Sequence, residues 1–277
     1  MNPAAGTGAG VSPEAPRRLS SGFVLHLAAY TLIVAAFVYL LGLGVASMGY
    51  HWQWYRVLRY VAVRTPGGLA AGPLAQGMLV TVKITSVSLG LAFAVGLLAV
   101  IMRLSASPVA RALSRSYLEL IRNTPLLIQI FFLYFVVSPV AGMNAFVTAV
   151  VALSLFEGAY ISEIFRSGIL SVPAGQWEAA HSLGLSTPET YRFVILPQAV
   201  RSVVPALAGQ TVSLVKDSAL VSTIAVYDLA MQAQAIVSET FLVFEVWLLV
   251  AAVYLSLTMS LSALAHALEA RYKRYGI

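Results

Sequence analysis

A chain of 277 residues that is 59% hydrophobic and 10% charged, with a mean hydropathy of +0.84, is not a soluble domain, because soluble domains carry about 25% charged residues. The absence of strand-like alternation argues against a β-barrel and for a polytopic, all-α membrane protein. Cysteine is absent, which excludes a disulfide framework and a thiolate metal site, and the net charge of +6 is distributed as membrane topology requires rather than as a nucleic-acid footprint.

Residues 1–21 are rich in Pro, Ala, Gly and Ser and read as a disordered cytosolic tail. Val24 to Met48 is a continuous apolar run, longer than the 7–15 residues of a signal-peptide core, and so a first transmembrane helix. Tyr50, Trp52, Trp54 and Tyr55 form an aromatic belt at the far interface. Arg56, Arg59, Tyr60 and Val63 then predict a short amphipathic helix on the outer surface, ended by Pro66-Gly67-Gly68. The second span covers about Gly77 to Met102 and contains Lys83, with Arg103, Arg111 and Arg115 after it. The third runs from Tyr117 to Val137, and Pro139 to Gly142 is a tight outer turn. The fourth, Asn144 to Ile164, contains Glu157. The fifth, Val203 to about Ile224, contains Lys216 and Asp217. The sixth is Phe241 to about Ala267. This divides the chain into the tail (1–21), an N-terminal helix with its outer segment (22–73) and a membrane domain (74–277).

With both termini inside, Arg17, Arg18, Arg103, Arg111, Arg115, Arg122, Arg166, Arg192, Arg201, Arg271, Lys273 and Arg274 face the cytosol, against Arg56, Arg59 and Arg64 outside. That asymmetry satisfies the positive-inside rule. The outer arginine trio is the one piece that resists it.

Between the fourth and fifth spans, Gly175 to Pro197 (GQWEAAHSLGLSTPETYRFVILP) is water-facing and carries two helix signals. The first helix is predicted over Gln176 to Leu183, with Glu178 in its first turn and Gly184 terminating it in the left-handed conformation. The second opens on Ser186-Thr187-Pro188-Glu189, a capping box with proline in the first turn, and is expected to end at Pro197. Two short helices at a glycine elbow make a compact knob. Trp177 either anchors it at the interface or contacts a partner.

Glu178-Ala179-Ala180, three residues, Gly184, nine residues, then Val194-Ile195-Leu196-Pro197 resembles the EAA signature of permease subunits of ABC importers, with Val194 where the family has Ile. Tyr117 to Gln129 (YLELIRNTPLLIQ), Gly158 to Arg166 (GAYISEIFR) and Ser213 to Leu220 (SLVKDSAL) resemble the polar amino acid branch of that family. The resemblance spans about residue 74 to the C-terminus, a five-helix core that the first helix extends to six. It implies that Glu178, Ala179, Ala180, Gly184, Val194, Leu196 and Pro197 form a coupling helix that docks on an ATPase subunit. It also implies an inner-membrane assembly with a second permease subunit, identical or homologous, and an extracellular or periplasmic substrate-binding protein that delivers a polar amino acid.

Ionisable groups inside a membrane are costly and read as functional by default. Glu157 either contacts the α-ammonium of a substrate or bonds a neighbouring helix. Lys216 and Asp217, also candidates for the substrate path, either pair locally or with another subunit's helix. Lys83 either meets a substrate carboxylate or snorkels. Gln129, one turn beyond Pro125, marks either a gate or a static kink. No phosphate-binding G-x-x-x-x-G-K-[ST] occurs, since the spaced glycines Gly72 and Gly77 are followed by Met78-Leu79. His26, His51, His181 and His266 are scattered, so no catalytic residue, metal site or cofactor is expected and ATP hydrolysis falls to another chain. An ATP-independent carrier would need inverted repeats or its own ion site, and a non-transporting scaffold would leave Glu157 and the knob without a purpose.

Overall fold

A computed structural model describes residues 21–66 and 68–274 and divides the chain after Trp52. The expected tail lies outside the described residues, apart from Ser21. The first unit is one long helix, α1 (Ser21–Ser47), whose Ala28–Ser47 stretch is apolar, with none of its described side chains buried. A left-handed Gly49 follows it, and Tyr50 packs edge-on against Trp52 at 5.4 Å.

The second unit opens with α2 (Trp54–Val61), followed by a two-stranded antiparallel hairpin, β1 (Ala62–Thr65) and β2 (Gly68–Ala71). This corrects the expected helix boundary. The chain leaves helix before Val63, and Pro66 sits in the hairpin turn rather than at a helix end. α2 buries Val57 against Leu229, Ala233 and Ile236, and its N-terminus is pinned by a hydrogen bond from Gln53 N–H to the fully buried Glu245 carboxylate at 2.6 Å. Sequence gives no hint of that tie, because 192 residues separate the partners.

The centre of the unit is a parallel helix pair, α3 (Pro73–Leu104) and α7 (Ala145–Leu170). Its register is marked along the whole length. Lys83 lies over the Phe146 ring, the Ser154 hydroxyl donates to the Ser88 carbonyl at 3.3 Å, Gly96 faces Gly158, and Arg103 pairs with Glu163. Small residues are what permit the approach. A Cβ on Gly96 would sit 2.8 Å from Ile161 Cγ2 and 3.0 Å from the Gly158 carbonyl oxygen. Lipid supplies no hydrophobic force between helices, so such close backbone packing has to hold the pair.

The expected third span is broken. α4 (Pro108–Arg122) and the run made of α5 (Leu126–Phe132), a π turn (Leu133–Val137) and α6 (Ser138–Ala141) meet at 106°. Pro125 has no N–H and restricts Thr124, so α4 stops at Arg122 and the chain restarts at Leu126. The Gln129 side-chain amide then donates to the carbonyls of Ile121 and Thr124 at 2.8 and 2.9 Å, satisfying groups the break orphans.

After α7 come α8 (Ala174–Ser182) and α9 (Thr187–Thr190). A π turn (Tyr191–Ile195) leads into α10 (Leu196–Asp217), and a 3₁₀ stretch (Ser218–Ile224) continues it. Pro197 therefore does not end the helix, contrary to expectation. The π turn before it shifts the hydrogen-bond ladder by one residue, with Leu196 N–H bonding the Tyr191 carbonyl, and the missing donor at Pro197 is absorbed there. α11 (Leu229–Thr240) is capped by Asp228 on the Met231 N–H, and α12 (Val243–Arg274) closes the unit against α10. Among the described residues, four helices are long and apolar enough to cross a membrane, or up to six if each bent pair is one span.

Candidate functional site: the α8–α9 hairpin and the acidic centre of α7

The hairpin is built by its turn chemistry. α8 begins at Ala174, directly after Pro173, whose fixed φ suits a helix entry. That start precedes the expected one, so Glu178 lies beyond the first turn and does not act as a local cap. At the other end, Gly184 (φ +77°) takes the left-handed position. Gly184 N–H bonds the His181 carbonyl at 2.9 Å and Leu185 N–H bonds the Ala180 carbonyl at 3.1 Å. This pair of bonds is a Schellman motif, and it fixes the elbow. The Ser186–Glu189 capping box forms as expected, with Ser186 N–H and hydroxyl both donating to the Glu189 carboxylate at 2.8 and 2.6 Å.

The signature residues divide between two jobs. Ala180 is buried and Val194 half-buried, with Val194 packed beside Ile169, Val172, Ile195 and Ala199 at the base of the hairpin. Trp177 joins that cluster edge-on to Tyr191 at 5.2 Å, so it braces the two arms together. Glu178, Ala179, Gly184, Leu196 and Pro197 are exposed, and so are Leu183 (81%) and Phe193 (62%). Glu178 has no ion pair among the described residues. A cleft of about 830 Å³ runs under the hairpin, lined by residues that include Gln176, Phe193, Pro197, Arg201 and Glu269.

The intramembrane candidates do not form one group. Glu157 is fully buried on α7, and its Oε2 accepts from Gln210 Nε2 at 2.5 Å while Oε1 has no partner. The Asp217 carboxyl lies close enough to act on the same group electrostatically, without a hydrogen bond between them. The structure thus unites Glu157 and Asp217 and adds Gln210, which the sequence did not single out. Lys83 is exposed and stacks over Phe146, eleven residues or about 16 Å of helix from Glu157. Lys216 faces away, into a cleft with Ser262, His266 and Glu269. Gln129 is committed to the α4–α5 bend. Glu163 is a further missed residue: it holds Arg103 at 2.6 Å and also pairs with Arg166.

Residues 87–274 match the family described as "binding-protein-dependent transport system inner membrane component". The chain belongs to that family. It is a multi-pass inner membrane protein of the permease class. It is 41% identical over 201 residues to the probable glutamine ABC transporter permease protein GlnP of Bacillus subtilis, an alignment covering 71% of this chain and 92% of the relative. It is 38% identical over 204 residues to the glutamine transport system permease protein GlnP of Escherichia coli K12, covering 72% and 93%. Among solved structures, the crystal structure of an amino acid ABC transporter with histidines matches with a TM-score of 0.72 and 35% identity, over 80% of this chain and 100% of that one. An inward-facing structure of the MetNI methionine ABC transporter shares the fold, with a TM-score of 0.59 at 20% identity over 71% and 96%. The family match begins within α3, so α1, α2 and the β1–β2 hairpin precede it.

Proposed function

We propose that this chain forms the translocation path of an ATP-driven importer for polar amino acids, with ATP hydrolysed on a separate ATPase subunit. The observation that carries the reading is the α8–α9 hairpin. Its signature places small and buried residues at the base and leaves Glu178, Ala179, Leu183 and Gly184 free at the tip. A rigid elbow with an unpaired carboxylate and exposed apolar side chains suits a cleft in another protein. The glutamine permeases and the amino acid transporter to which the chain is similar support the substrate class.

In this reading the hairpin and both termini face the cytosol, the permease domain is 74–277, and a second permease subunit completes the path. An extracellular or periplasmic binding protein delivers the substrate. Glu157 and Asp217 would receive the substrate's ammonium group, with Gln210 holding Glu157 in place. An ammonium supplies the donor that Glu157 Oε1 lacks. Val194, Leu196 and Pro197 would carry movement of the hairpin into α10.

The chain has no cysteine, so Leu183→Cys is a unique reactive site. Labelling that variant with a maleimide–diazirine reagent and photo-cross-linking in native membranes should capture an ATPase subunit identified by mass spectrometry. Transport activity without any captured nucleotide-binding chain would instead indicate an autonomous carrier.

A further inference from the structure

A cavity of about 400 Å³ lies where the last turn of α3, the second half of α4 and the middle of α7 meet, apart from the hairpin and the Glu157 centre. Arg103, Arg115, Arg122, Asn123, Glu119 and Tyr160 line it. Its size falls within the roughly 300–1,000 Å³ of small-ligand sites.

Three guanidinium groups face this space, and they are not equally engaged. Arg103 is held by Glu163 at 2.6 Å, and Glu163 also takes Arg166. Arg122 stands 4.0 Å from the same carboxylate, beyond hydrogen-bonding distance, with its guanidinium 5.8 Å from the Tyr160 ring centre. Arg115 has no ion pair among the described residues, and neither does the rim carboxylate Glu119. One carboxylate, Glu163, is thus shared among Arg103, Arg166 and the more distant Arg122, while Arg115 has none, so positive charge is in excess around a ligand-sized space. Like charges held this close repel, and an anion between them relieves the repulsion. The planar fork of arginine donors matches the oxygens of phosphate.

We propose that this cavity binds a phosphate group, with the headgroup of an anionic phospholipid as one source and a free phosphate anion as the other. The lipid source fits the surroundings. Arg103 sits in the last turn of a membrane-spanning helix, the depth at which headgroups begin. Leu104, Leu113 and Leu120 lie exposed on α3 and α4, where acyl chains would run.

The test uses the assembled transporter in mild detergent, offered equal phosphatidylglycerol and phosphatidylcholine, with retained lipid read by native mass spectrometry. The R115Q/R122Q double variant keeps the two short Glu163 pairs, with Arg103 and Arg166, and loses the longer one at 4.0 Å, and R111Q removes a charge from α4 outside the cavity. Selective retention of phosphatidylglycerol by the wild type and by R111Q, with at least about tenfold less in the double variant, supports a lipid headgroup. Thermal stabilisation by inorganic phosphate, lost only in the double variant and without lipid retention, supports a free anion. Overturning the proposal takes either no preference for the anionic lipid together with no phosphate response, or equal losses in R111Q and the double variant.

Discussion

Gly184 offers a perturbation whose cost can be worked from backbone geometry alone. Its φ of +77° is left-handed, and a Cβ built there would meet nothing within 4 Å. Any penalty for a side chain therefore comes from the dihedral and not from a clash within this chain. A non-glycine residue in the left-handed region costs on the order of 1–2 kcal/mol, more for a β-branched residue and less for Asn. That corresponds to a factor of about 5–30 in the population of the closed elbow. α8 is nine residues long, too short to hold its shape without tertiary support. The elbow should then loosen by nearly that whole factor. Gly184→Asn, Gly184→Ala and Gly184→Val should reduce amino acid uptake in reconstituted vesicles in that order, with membrane insertion unchanged. Gly184→Asp, which adds a charge at the tip, should abolish transport. If Asn impairs uptake as severely as Val, the glycine is needed for room at a partner's surface rather than for its dihedral. Uptake unchanged in Val and Asp alike would refute the coupling role of the hairpin.

Other variants probe the remaining parts. Glu157→Gln should raise the KM for uptake while ATPase association, followed by co-purification, stays intact; normal uptake would make Glu157 structural. Glu163→Gln removes a carboxylate shared by Arg103 and Arg166 at partial exposure and should cost about 1–2 kcal/mol, seen as a lower melting temperature in detergent. Gly96→Val drives a side chain into Ile161 and the Gly158 backbone. It should destabilise by about 1–3 kcal/mol, and a melting temperature equal to the parent's would show that α3 and α7 are not packed as described. Ser186→Ala removes one half of the capping box and should cost about 1 kcal/mol, visible as faster hydrogen exchange at Thr187–Thr190 with no change elsewhere.

Three of the prolines of the membrane domain show how far sequence reaches. Pro125, Pro197 and Pro205 each lack a donor, and sequence alone assigns all three the same local defect. The outcome differs with the neighbours. At Pro125 the chain turns by 106°, and the Gln129 amide satisfies the freed carbonyls of Ile121 and Thr124. At Pro197 a π turn absorbs the defect and the helix continues, and Pro205 sits inside α10 without ending it. Local rules locate the defect, and tertiary partners decide its shape. The hairpin was legible for the opposite reason: its Schellman elbow and capping box use partners within a few residues of each other.

The same distinction governs the site. Glu157 announces itself as a charge in an apolar run, but its partner Gln210 lies 53 residues away and carries no sequence signal of its own. Asp217 reads more naturally as the partner of its neighbour Lys216. Yet α10 turns the two apart, sending Asp217 inward to Glu157 and Lys216 to the α12 side. Adjacent residues on a helix point about 100° apart, so a charged dipeptide inside a span need not be an ion pair. Glu157, Asp217 and Gln210 then stand together, with Lys216 acting on Asp217 only through space. On the proposed reading, an incoming ammonium would then be the partner of this centre. The distinction is measurable. Asp217→Asn should weaken uptake together with Glu157→Gln and non-additively, as residues sharing one ligand do, whereas Lys216→Gln should leave the KM unchanged.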